Sequence, residues 1–187
     1  MKNTMSAKLQ TIRLLNGIAL LNKERAAGYK KLVSLLNSSN AQQGCANLNL
    51  EILMHNFVRD STVFSNTLEN IVLIEGGKMP YGTRVDQQLY RKATAMRELF
   101  AEADNLSILT VCDACEALIH GGYSSVIEAG QLHDDPKNML VKQQVELQKA
   151  KELVQQLKIQ LDNVNEQASI IPIGRAEATE LQLKVVG

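Results

Sequence analysis

Two stretches of the chain pair a glutamate with a histidine four residues later, "EILMH" at 51–55 and "EALIH" at 116–120. The chain has three histidines, so two of them fall in these pairs. Glu and His on facing helices are how helical bundles hold a pair of metal ions. Asp113 precedes Glu116 by three residues, the spacing that projects two carboxylates from one helical face. "CDAC" (112–115), which contains Asp113 and directly precedes Glu116, is a CxxC, which in another setting is a thiol redox motif. Metal ligation and thiol exchange are therefore the two chemistries to weigh.

The elements that would position these residues are helices. Apolar residues make up 45% of the chain and aromatics only 4%, with no Trp and three Pro. A core of Leu, Ile, Val, Ala and Met with few breakers favours helix. Spacing in steps of three and four predicts five helices, over about 6–37, 46–75, 84–103 and 105–131, and a fifth that starts within "HDDP" and carries the stripe Leu147–Ala168. "NSSNAQQG" (37–44) and "GGKMPYGT" (76–83) are breakers, the second long enough for a crossing. In "HDDP" (133–136), an Asp is the expected N-cap and Pro136 falls in the first turn. This pattern predicts one all-α bundle domain over 1–168 and a C-terminal extension over 169–187.

Charge narrows the partners. Twenty basic residues balance 20 acidic ones, which argues against nucleic acid or an anionic membrane as the main partner. No apolar run reaches the ~20 residues of a transmembrane helix, and "MKNTMSAKLQ" lacks a signal-peptide core. Three cysteines make a disulfide framework improbable, and a cytoplasmic location is expected. The apolar tail segments "SIIPI" and "LQLKVV" suggest self-association as a homodimer.

Winding each helix at about 100° per residue sorts the polar side chains. Glu51 and His55 fall opposite the stripe Leu50–Phe57–Phe64, as an exposed i,i+4 pair. Asp60 falls within that stripe, so it needs a cation, a donor or a metal. On the fourth helix Asp113, Glu116, His120 and Tyr123 flank the core. On the first, Arg25 lies inside the apolar arc with Asn22 beside it, and buried arginine almost always has a carboxylate partner. The expectation is a central polar layer of Asn22, Arg25, Asp60 and Glu116, with Asp113 beside it. Cys112 and Cys115 lack a surrounding βαβ pattern, and Cys is common in helix packing.

"LLNGIALLNKERAAGY" (14–29), "GGKMPYGT" leading to "QQLYRKA" (87–93), and "VCDACEALIHGGYSSVIEAG" (111–130) resemble a ferritin-like bacterial family of unknown function made of four-helix bundles. The resemblance spans about 11–160. It implies a ferritin-like antiparallel four-helix bundle with an additional C-terminal helix. It also implies iron or manganese as the metal, with acids at Asp60 and at Asp113 and Glu116. Ferritin-like di-metal centres use Glu-x-x-His, which this chain lacks, and Ala26 and Ala27 stand where relatives carry acids. Three functions follow. The favoured one is a non-catalytic interaction or stress-associated module with a degenerate metal site and no cofactor. The second is a di-metal oxidase or metal store using Asp60, Asp113, Glu116, His120 and Glu24. The third is thiol redox at Cys112 and Cys115.

Overall fold

A computed structural model describes residues 2–39, 46–78 and 85–170. These residues form five α-helices, α1 (Lys2–Ser39), α2 (Ala46–Ile74), α3 (Gln87–Ala101), α4 (Ile108–Glu128) and α5 (Asp134–Ile170). A 3₁₀ turn, Ala103–Asn105, precedes α4. No strand occurs among the described residues, and none of their helices is long and apolar enough to cross a membrane. The C-terminal extension lies outside the described residues beyond Ile170.

The helix starts carry their own signals. Asp86 caps α3 by accepting from the amides of Gln88 (2.9 Å) and Leu89 (3.2 Å). Ser107 caps α4 by accepting from the Thr110 amide at 3.3 Å. Helix α5 begins at Asp134, with Asp134 and Asp135 in its first turn, where their charge complements the helix dipole. Both aspartates are thus helical, one step inside the N-cap position expected for one of them.

Cross-helix bonds fix the directions. Asn37 bonds Glu51 and Lys8 pairs with Glu75, so α1 and α2 are antiparallel. Thr11 reaches Gln131 and Asn22 reaches Tyr123, so α1 and α4 are antiparallel. Helices α4 and α5 are antiparallel as well, through Tyr123–Gln143 and Lys158–Asp113. Helix α3 instead runs parallel to α1: the Asp86 amide donates to the Arg13 carbonyl, and further along Lys31 donates to the Phe100 carbonyl.

Helices α1, α2, α4 and α5 form an incomplete ring around one core, α2 and α5 touching only briefly, with α3 packed against both α1 and α4. Leu140, Leu147 and Val154 of α5 and Leu89, Ala93, Met96 and Phe100 of α3 are buried in the same core. The link from α2 to α3 returns beside the same end of α1, where Asn16 bonds the Lys78 carbonyl and Arg13 receives Asp86. Residues 79–84 of the expected crossing lie outside the described residues. Helix α3 itself carries the chain back along the ring.

Glycine lets α3 approach. A Cβ on Gly17 would overlap Leu89, and one on Gly28 would overlap the Phe100 ring. The glycines are eleven residues apart, as are Leu89 and Phe100, so two parallel helices meet twice in register. Lys31 then bonds the Phe100 carbonyl at 2.8 Å and the Ala101 carbonyl at 3.1 Å, satisfying the end of α3. Gly28→Ala gains helix propensity worth about 1 kcal/mol, but overpacking costs about 1–3 kcal/mol and is expected to win. Urea unfolding should show a net loss for Gly28→Ala that is largely recovered in Gly28→Ala/Phe100→Leu.

Candidate buried polar centre

Arg25 of α1 is 1% exposed and Glu116 of α4 is fully buried. Their side chains form a two-pronged ion pair: Arg25 Nε donates to Glu116 Oε1 at 2.8 Å, and Nη2 donates to Oε2 at 2.9 Å. The remaining guanidinium nitrogen, Nη1, turns to α2, where it donates to Ser61 Oγ at 2.7 Å and to the Phe57 carbonyl at 3.3 Å. Tyr29, one turn after Arg25, donates its hydroxyl to Glu116 Oε1 at 2.5 Å. One cation therefore joins three helices.

Aromatic rings wall this centre. The guanidinium carbon lies 4.8 Å from the Phe57 ring centroid and 5.3 Å from that of Tyr29. Tyr29 packs on Phe57 and Phe100 at centroid distances of 5.0 and 5.6 Å. Burial alone pulls the Arg25 guanidinium down, but the Glu116 carboxylate more than offsets this and holds it above its ordinary value. Burial, then the Glu116 charge, pushes the Tyr29 hydroxyl well above the usual tyrosine range. Cation, carboxylate and neutral phenol form one closed set.

Asn22 belongs to a second buried group a turn away. Its amide nitrogen donates to the Tyr123 hydroxyl at 2.8 Å and to the Ile18 carbonyl at 3.0 Å. Tyr123 donates onward to Gln143 Oε1 of α5 at 2.8 Å. The expected polar layer is present as the Arg25–Glu116 pair, while Asn22 is buried but bonded in its own group.

The layer does not extend to Asp60, whose side chain is 40% exposed and paired with the adjacent Arg59 at 3.1 Å. The buried stripe of α2 is Met54–Phe57–Ser61–Ser65–Leu68–Val72, rotated by one residue from the stripe of larger apolar side chains. Ser61, which accepts from Arg25 of α1, takes the place given to Asp60. Asp113 also lies outside the centre, bonded to Lys158 at 3.2 Å. His120 is half-buried, and burial followed by the Lys151 charge lowers its pKa. Glu24 pairs with Arg97 at the α3 edge. As expected, Glu51 and His55 form a surface i,i+4 pair, 3.7 Å apart.

The four residues proposed as metal ligands, Asp60, Asp113, Glu116 and His120, are therefore engaged separately. Among the described residues, no group of three or more His, Cys, Asp or Glu could hold a metal ion. Both oxygens of Glu116, the one ligand candidate at the centre, face Arg25.

Cys112 and Cys115 are buried free thiols beside the same centre. Burial, then the Glu116 charge, pushes the Cys112 thiol up to about 12 and Cys115 well above its usual range. Thiol exchange needs thiolate, and this site suppresses it. Sequence reasoning missed Ser61 and the Phe57 carbonyl as partners of Arg25. It also missed Tyr29 as the donor to Glu116, although i,i+4 spacing places Tyr29 on Arg25's face.

Two outcomes are expected. Arg25→Met leaves a buried carboxylate without its cation and should cost about 3–5 kcal/mol, whereas Arg25→Met/Glu116→Leu should recover most of that loss in urea unfolding. The second concerns alkali. A group whose folded pKa exceeds its unfolded one holds its proton in the fold. Its contribution is intact below the unfolded value and lost as pH rises toward the folded one. For Cys112 that window runs from 9.0 to about 12, a loss on the order of 4 kcal/mol. Thermal melts should be flat to about pH 8 and fall steeply above about pH 9, less so in Cys112→Ala/Cys115→Ala.

Comparison of the chain with protein-family models, with curated proteins and with solved structures returned no match.

Proposed function

We propose that this protein is a ferritin-like helical bundle that works as a non-catalytic, self-associating interaction module, with a tethered cation where di-metal relatives of the fold hold metal. The observation that carries this reading is the Arg25–Glu116 pair. Glu116 projects inward from a ring helix, as ligating carboxylates do in di-iron bundles. Its two oxygens are taken by a guanidinium and a phenol. A divalent ion beside Arg25 would meet a fixed positive charge in a buried setting.

The connectivity supports the ferritin-like part. Helices α1 and α2 form one antiparallel pair and α4 and α5 another, and α3 runs back along the outside to join them. A four-helix ring with one long crossover is the ferritin-like pattern. Self-association is supported by α2, which leaves Val63, Leu73 and Ile74 exposed.

The test is metal loading with sedimentation analysis of the same samples. Purified chain incubated with Fe(II) or Mn(II) and desalted is expected to retain well under one ion per chain and to sediment as a dimer. Retention of about two ions per chain, the stoichiometry of a di-metal centre, with loss in Asp60→Asn/Glu116→Gln, would overturn the reading.

A further inference from the structure

Where α2 and α5 touch only briefly, the described residues form a groove of about 560 Å³ between them. Leu50 and Leu53 of α2 line one side, Leu153, Leu157 and Leu161 of α5 the other, and Leu109 of α4 the base. Three helices therefore contribute to one apolar lining.

The dimensions of the groove favour a small molecule over a protein partner. The lining spans residues 49–56 of α2 and 153–161 of α5. At 1.5 Å per residue this is about 12 Å of helix, or two turns. A stable protein interface buries about 800 Å² on each partner, which a groove of that length does not supply. Its volume falls within the roughly 300–1,000 Å³ of small-molecule sites, and in helical bundles such sites lie between helices.

The charge of the lining narrows the ligand further. Among the described residues, no charged side chain lines the groove. Lys158, next to Leu157 in sequence, is paired with Asp113 of α4. A carboxylate or ammonium head would thus enter without a counter-charge, and burying an unpaired ion is costly. The polar part of the lining consists of amides, Asn49 and Asn56 on α2 and Gln160 on α5. Helix α5 runs in the direction of α1 and α2 against it, so Asn49 and Gln160 lie at one end of the groove and Asn56 at the other. An amide both donates and accepts, which suits an uncharged hydroxyl or carbonyl. The leucines between the two ends suit an apolar chain. Ile52, Leu153 and Leu161 are lining residues exposed to solvent, so covering them removes apolar surface from water.

We infer that the α2/α5 groove is a binding site for one neutral amphiphile, with an apolar chain about 12 Å long and an uncharged hydrogen-bonding head. The leucines of α2, α4 and α5 hold the chain, and Asn49 and Gln160 orient the head. The bound molecule fills the side of the ring that α2 and α5 leave open. The inference goes beyond the proposed function and does not rest on it.

The test uses the full chain with the neutral dye Nile red as probe. Decanol, decanoate and decylamine, which share one chain and differ in head charge, compete for it. Saturable dye binding at one site per chain is expected, with decanol displacing the dye at least about tenfold better than either charged analogue. Leu153→Lys places a cation in the groove and should reverse the order, so that decanoate displaces better than decanol. Val141→Lys, on α5 outside the groove, should keep the parent order. Both positions are exposed, so both variants should fold. A lack of saturable binding, equal displacement by all three competitors, an unchanged order in Leu153→Lys or a reversed one in Val141→Lys would each overturn the assignment.

Discussion

The fold depends on one buried cation and the anion that meets it. Arg25 and Glu116 sit on helices far apart in sequence, and each is removed from water. Removing an ion from water costs several kcal/mol, which mutual attraction offsets only when the geometry is close and the remaining donors are satisfied. Both conditions hold: the pair is two-pronged, Ser61 and the Phe57 carbonyl take the other guanidinium nitrogen, and Tyr29 completes Glu116. Such a centre tolerates one arrangement of α1, α2 and α4. An apolar core of similar volume would tolerate sliding and rotation among several, so the pair acts on specificity more than on net stability.

A second constraint acts through absence of bulk. Gly17 and Gly28 bring α3 against α1, and Gly122 brings α4 close to Leu21, whose side chain would lie 2.5 Å from an added Cβ. With α2, these helices enclose α1 on three sides, and its polar centre has no path to solvent through them. The thiols of Cys112 and Cys115 are sealed in with it, which is why a CxxC on this helix reads as packing.

Much of this was legible from residue spacing. The five helices, the apolar arc of α1 and the inward Arg25 follow from periodicity and from the cost of an unpaired buried charge, with Glu116 one of three carboxylates, beside Asp60 and Asp113, that could meet it. The surface placement of Glu51 and His55 follows the same way. Asp60 was misplaced because periodicity locates an apolar stripe by its large side chains. On α2 the buried face also carries small polar ones, Ser61 and Ser65, so it is rotated by one residue. The role of α3 was hidden for a related reason. Amphipathic spacing reports that a helix has a buried side, and says nothing about whether that side faces the centre of a ring or its outer groove. Gly17 and Gly28, eleven residues apart, were the available signal, since paired glycines inside a helix cost stability unless a neighbour needs the space.

The distance in sequence between Arg25 and Glu116, 91 residues, also sets an order of events during synthesis. The ribosome delivers α1 and α2 first, and this hairpin offers Arg25 a serine and a carbonyl but no anion. Without α4 the guanidinium would be buried with no opposite charge, at a cost of several kcal/mol. The centre is therefore complete only when the helix carrying Glu116 is in place.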